Sequence, residues 1–441
     1  MNHQYIYSCQ IIRNFWDDEA VGFWLFFIFR FSFFIYNMTS PNPFRISGTG
    51  CALVDYLYKP VDFSSQVFRK YLSQQPGDGG LSPGKLVFTE ELEKFAGNNY
   101  QDIRKDITEE NDPVAMNIGG PSIVSLIHAT QMLTGSGLDA DVRFYGCHGN
   151  DQAGHFIEQR LSSTPLQIGD YKVVEKYTPF TDVLVDPSYD AGHGERVFIN
   201  NIGAAWDLYP GDLDEAFFDS DLVVFGATAL VPNLHRSLKE LLMKARTKGA
   251  VTIVNTVFDF LSEKQDPDKP WPMGGTSDSY PYIDLLITDH DEALRHSGCK
   301  SAQEALAFFK EQGTGAAIVT HGPNPVQYYS QSRLFNKSGF SRLPVSDRVV
   351  TQIRKNPALA GDTTGCGDNF TGGVIASIAS QRIGNRKEPV DLVKAVALGI
   401  ASGGFTCFYH GGTYIEQHPG EKAQLVMDYY DDYLKQIAIG R

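Results

Sequence analysis

Residues Ala360-Gly361-Asp362-Thr363-Thr364-Gly365-Cys366-Gly367-Asp368-Asn369-Phe370 run without a break into Thr371-Gly372-Gly373-Val374-Ile375-Ala376-Ser377-Ile378-Ala379. Phe370, Val374, Ile375 and Ile378 recur at helical spacing, so the stretch predicts a tight loop feeding a buried helix. Gly365 and Gly367 let the backbone turn its amides toward one point, with no side chain in the way. The first N–H groups of the helix add donors and the positive end of its dipole. Such a place binds anions, phosphate above all. A carboxylate at Asp368 repels an anion unless it has chemical work. Its natural work is to take the proton from a hydroxyl attacking a bound phosphoryl group. An anion hole with a base at its lip implies phosphoryl transfer to an alcohol. A glycine turn closed by an Asp cap uses the same residue types, and spacing alone leaves both readings open.

Gly365-Cys366-Gly367-Asp368 also fits the GxGD pattern of intramembrane aspartyl proteases, which need the Asp inside a spanning helix. Asp362, Thr363, Thr364 and Asn369 are too polar for bilayer depth, and that reading fails. The run from Asp362 to Asp368 instead resembles the DTxGAGD signature of the ribokinase-like, or PfkB, family of sugar and nucleoside kinases, with Cys366 in place of Ala. The resemblance implies ATP as phosphoryl donor and Mg²⁺ as its companion. It makes Gly365, Cys366 and Gly367 the anion hole, Asp368 the general base, and Asp362 a residue on the substrate side.

Composition agrees with a globular chain: 441 residues, 42% hydrophobic and 20% charged. A formal charge of −14 and the absence of a long basic run argue against a nucleic-acid partner. Net charge does not bar ATP, whose phosphates meet local amides and metal. The six cysteines are scattered, without CxxC or a Cys/His cluster. They read as reduced thiols of a cytoplasmic protein with no zinc site.

The N-terminus differs from the rest. Residues 20–36 are dense in aromatics, interrupted by Arg30 and preceded by Asp17, Asp18 and Glu19. The run is short for a membrane span, and the charges are wrong for a signal peptide. Met38-Thr39-Ser40-Pro41 looks like an ordinary start. Residues 1–43 are expected to be an extension outside the fold, with anchoring by 20–36 the lesser alternative. Residues 44–430 are expected to form one kinase domain, its lid and insertion falling within 57–117 and 178–200.

From Arg45 a buried strand runs through glycines to Asp55, where the family grips substrate hydroxyls; a solvated turn Asp is the plain alternative. Thr89 to Ala96 suggests a short helix opened by a capping Thr. Asn117-Ile118-Gly119-Gly120-Pro121 opens a helix with Pro at its start. Gly119 and Gly120 match the family's GGxxxN, but Val124 or Ser125 stands where its Asn should be. Asp141 to Gly154 resembles a family strand-turn-helix, with Asp151 given a structural role. Thr181–Val185 and Gly194–Ile199 alternate as a hairpin, which in the family belongs to a lid that excludes water.

Leu222–Phe225, Val251–Asn255, Leu285–Thr288 and Ala316–Thr320 are apolar runs separated by helical stretches such as Asn233–Lys248 and Ala302–Gln312. That alternation predicts an α/β, doubly wound, mainly parallel sheet with helices on both faces and a small β lid. Ligands then bind beyond the strands' carboxyl ends. Asp289 and Glu292 resemble the family's NxxE and become candidates for Mg²⁺, against the local alternative of a capping Asp with a first-turn Glu. Thr320 and Gly322 fit the family's nucleotide-lining TxG, and Asn255 joins them at a strand end. Val390–Tyr409 reads as an apolar helix.

The resemblance thus implies an ATP-dependent kinase phosphorylating a hydroxymethyl group of a small sugar or sugar-like molecule, with a nucleoside kinase as the runner-up. A non-catalytic sugar- or nucleotide-binding regulator is the alternative of another class. A homodimer is the candidate assembly.

Overall fold

Leu222-Val223-Val224-Phe225 is apolar at every position, so a strand made from it needs cover on both faces. The structure, a computed structural model, describes residues 43–439 except 76, 193, 333 and 362. The expectations for the segment 20–36 and for Asp362 lie outside the described residues. The strands in chain order are β1 (Phe44–Gly50), β2 (Leu53–Tyr58), β3 (Leu86–Phe88), β4 (Ala115–Gly119) and β5 (Ala140–Gly149). Next come β6 (Tyr171–Val174), β7 (Phe180–Asp186), β8 (Glu195–Asn201), β9 (Leu222–Gly226) and β10 (Val251–Asn255). β11 (Leu285–Asp289), β12 (Ala316–Thr320), β13 (Val326–Ser330) and β14 (Ser338–Leu343) complete the set.

Nine of these form one sheet in the order β14-β13-β12-β11-β10-β9-β1-β5-β6. Its strands run parallel except that β13 is antiparallel to both its neighbours. Successive side chains of a strand face opposite sides, and the core obeys that rule. Leu222 and Val224 enter one apolar cluster, with the helices Pro121–Gly135, Cys366–Ile383 and Leu392–Thr406. Val223 and Phe225 enter the other, with Leu238–Thr247 and Ala302–Glu311. The architecture is therefore the doubly wound, mainly parallel α/β sheet expected.

The other five strands make a second sheet, β3-β8-β7-β2-β4. The expected hairpin is β7 against β8, antiparallel. The segment 63–107 folds back on this sheet: Phe63, Phe68, Leu92, Tyr100, Ile103 and Ile107 cover Leu184, Val197 and Ile199 in a third cluster. Two glycines carry the chain between sheets. Gly50 has φ +146°, and a Cβ there would lie 1.9 Å from the Gly226 carbonyl oxygen. Gly120 has φ +99° and faces the Cys51 carbonyl at 2.5 Å. No other residue fits either crossing.

Four local expectations need correction. The single strand read from Arg45 to Asp55 is two, β1 in the large sheet and β2 in the second, and Asp55 stands inside β2. The helix expected to open on a capping Thr spans Thr89–Ala96, with Thr89 inside it and Phe88 as cap. The Glu91 carboxylate accepts the Phe88 N–H at 3.4 Å, and the Thr89 hydroxyl is bound by Asn201. The stretch Asn233–Lys248 divides at Ser237 into Pro232–Arg236 and Leu238–Thr247. The last apolar helix is shorter than read, Leu392–Thr406, because Asp391 caps it with bonds to the Val393 and Lys394 amides. Among the described residues no helix is long and apolar enough to cross a membrane.

Candidate functional site

The glycine turn has a backbone only glycine tolerates. Gly365 sits at φ +75° as the cap of the Cys366–Ile383 helix, and a Cβ on it would lie 2.4 Å from Gly412 Cα. At Gly367 the reverse holds: a Cβ there would meet nothing within 4 Å. The first turn of the helix thus opens onto free space, a place suited to an anion, although the Cys366 N–H already donates to the Thr363 carbonyl at 3.3 Å.

The turn is anchored from below. Asn369 is fully buried, and its Nδ2 donates to the carbonyls of Gly365 and Gly412, each at 2.8 Å. Its Oδ1 accepts from Lys422 Nζ at 2.8 Å and from the Tyr409 hydroxyl at 3.3 Å. Lys422 is only 1% exposed, and burial pushes its ammonium down to about 7. One residue earlier, burial alone pushes the Asp368 carboxyl up to about 7. An acid so tuned is half ionised near neutral pH, the range in which a general base works best.

Across the site, Asp55 stands on β2 opposite Asn117 of β4 and Thr181 of β7. Its carboxylate occupies the space beside Gly119, where a Cβ would come within 2.2 Å of Asp55 Oδ2. The glycine is there to make room. The segment from His410 to Thr413 then ties this strand pair to the glycine turn. Asn117 Nδ2 donates to the His410 carbonyl at 3.4 Å, and the Thr413 hydroxyl donates to the Ile118 carbonyl at 3.3 Å. The same segment supplies the Gly412 carbonyl that Asn369 holds. Val124, where an Asn was sought, lies 3.3 Å from the Cβ position of Gly412 and closes the space with methyl groups.

A third group lies at the ends of β10, β11 and β12. Glu292 Oε2 accepts from the Thr256 hydroxyl at 2.5 Å, and that hydroxyl lies 2.8 Å from the hydroxyl of Thr288. Burial first, then the neighbouring Asp289, raises the Glu292 carboxyl, and Asp368 adds to the effect. The charge at one helix start therefore reaches the acid at the other. Asp289 caps its helix by accepting the Glu292 N–H at 2.8 Å, so the local capping alternative describes its backbone role. Thr320 pairs with Asp289 in the sheet, and Gly322 at φ +50° leaves open space. Asn255 is buried, and its Oδ1 has no hydrogen-bond partner among the described residues.

Those donors suit a hard cation. Two carboxyl groups and an orphaned amide oxygen match Mg²⁺, which takes one or two carboxylates plus water and phosphate oxygens instead of a full protein cage. No cluster of three His, Cys, Asp or Glu able to hold a metal occurs among the described residues.

Sequence reasoning named the glycine turn, Asp368, Asp55, Gly119, Gly120 and the strand-end residues. It missed Asn369 as an anchor and missed Lys422, Tyr409 and the His410–Thr413 segment altogether. Asn369 was in view beside Asp368, but its partner Lys422 lies 53 positions away. Asp151 takes the structural place expected, accepting from the Gly154 and Thr178 amides, each at 2.8 Å.

The chain matches the model of the pfkB family carbohydrate kinases over residues 93–418. Adenosine kinase from Schistosoma mansoni, in complex with 2-fluoroadenosine, is similar with a TM-score of 0.62 at 17% identity, covering 84% of this chain and 96% of that one. A probable sugar kinase from Rhizobium etli gives 0.62 at 16% identity, covering 88% and 99%. A putative ribokinase II from E. coli, in complex with ATP and Mg²⁺, gives 0.56 at 17% identity, covering 89% and 99%. These likenesses show a shared fold.

Proposed function

The chain belongs to the pfkB family of carbohydrate kinases, and from that premise we propose that it transfers the γ-phosphoryl group of ATP to a hydroxymethyl group of a sugar or sugar-like molecule. One observation carries this reading: an acid tuned to about 7 stands at the open lip of the Gly365–Gly367 turn. Through His410–Thr413 that turn is tied to the strands that present Asp55.

Asp55 would accept hydrogen bonds from substrate hydroxyls, with Gly119 and Gly120 leaving room for the ring. Asp368 would take the proton of the attacking hydroxyl as its oxygen closes on phosphorus, the bridging oxygen departing on ADP. The amides of Gly365, Cys366 and Gly367 would hold the charge that grows on the transferred group, commonly the largest catalytic contribution. Asp289, Glu292 and Asn255 are the residues that would hold Mg²⁺, which supplies charge neutralisation to the phosphates when bound. Thr320 and Gly322 would line the nucleotide.

A nucleoside acceptor is the second reading. The helical cover on the second sheet and Val124 in place of the Asn that grips sugars both lean that way. A coupled ADP-release assay across sugars and nucleosides separates the two. Turnover with one class only assigns the acceptor. No turnover with any member, while ATP still binds, supports a non-catalytic regulator and refutes the kinase reading.

A further inference from the structure

Cys366 Sγ and Cys407 Sγ lie 3.6 Å apart, although 41 positions separate them in the chain. Cys366 begins the helix that carries Asp368, and Cys407 ends the helix packed beside it. Both are partly exposed, whereas Cys51 and Cys147 are buried. Close helix contact holds the two thiols near each other: a Cβ on Gly403 would come within 2.8 Å of the Cys366 carbonyl. Sulfurs already in contact need to close by only about 1.5 Å to reach bonding distance.

We propose that Cys366 and Cys407 are a thiol modification site that forms a reversible intramolecular disulfide and switches phosphoryl transfer off. The switching half rests on the kinase reading above. With a hydroperoxide as oxidant, one thiolate attacks the peroxide oxygen, giving a sulfenic acid and releasing water or alcohol. The second thiol then attacks that sulfur, the S–S bond forms, and the hydroxyl leaves as water. Two thiols are oxidised and one peroxide is reduced, so atoms and electrons balance. The new bond pulls on the anion-binding turn from both ends. Cys366 contributes an amide to that turn, and the Cys407 carbonyl accepts the Gly361 N–H at 2.9 Å.

The test treats the full chain with hydrogen peroxide, maps its peptides by mass spectrometry and assays turnover before and after a dithiol reductant. The expected result is a peptide pair linked through Cys366 and Cys407, turnover reduced at least about tenfold, and recovery on reduction. Cys407→Ser should start with wild-type turnover, give no linked pair and keep its turnover under the same treatment. Absence of the linked pair overturns the site. A linked pair with unchanged turnover overturns the switch, and so does equal loss in Cys407→Ser. The peptide map reads the bond without reference to turnover, so its failure is distinct from failure of the kinase reading.

Discussion

The start of the Cys366–Ile383 helix and the start of the helix after β11 each present an acid to the same site, and the two acids are raised for different reasons. Asp368 is raised by burial alone. Glu292 is raised by burial and by two other acids, Asp289 and Asp368. A group raised by removal from water returns to its ordinary range only when water returns. A group raised by neighbouring negative charge responds to any cation placed among them. The first arrangement suits a base that must hold and release a proton. The second suits a wall of acids that can take a divalent ion.

Glu292→Gln should cut turnover by roughly a hundredfold and raise the Mg²⁺ concentration needed for half-maximal rate. Chelation by EDTA followed by readdition of Mg²⁺ should slow and then restore the wild-type enzyme. A variant indifferent to Mg²⁺ would remove the metal role from this wall.

The pH dependence comes next. Asp368 must be ionised to accept a proton, and its folded value is about 7. Turnover should therefore be near its plateau above that value and fall about tenfold for each unit below it. A profile flat down to pH 5 would show that a different group limits the reaction.

The smallest effect concerns the support beneath the turn. Lys422→Met removes one donor to Asn369 Oδ1 and leaves the Tyr409 hydroxyl in place. A single net hydrogen bond is worth about 1 kcal/mol, or roughly fivefold. The loss should appear mainly as weaker ATP binding, since the turn proposed to hold phosphate loosens while Asp368 is retained. An unchanged KM for ATP would make Lys422 a packing residue only.

Much of this was legible because the signals are local. Apolar runs such as Leu222–Phe225 announce a strand covered on both faces, and alternating them with helices leaves few topologies. Gly365, Gly367 and Asp368 sit within four positions, so the proposed chemistry rests on one loop. What stayed hidden depends on chain segments far apart. Lys422 is buried against Asn369, a contact between positions far apart in the chain. The His410–Thr413 segment looks like an ordinary glycine loop, yet it joins two sheets' worth of site residues. The position of Val124 was noticed, but only packing shows that Gly412 has taken the space. Thr is a common cap, but Thr89 lies inside its helix, where its hydroxyl accepts from Asn201.

The central claim is that Asp368 takes the proton from an acceptor hydroxyl at an anion-binding turn. Asp368→Asn tests it most directly, because the amide keeps the size of the side chain and cannot act as a base. With the acceptor found in the screen, the account predicts turnover reduced by about a thousandfold while ATP binding, measured by calorimetry, stays within a few-fold of wild type. Turnover within tenfold of wild type in that variant would contradict it.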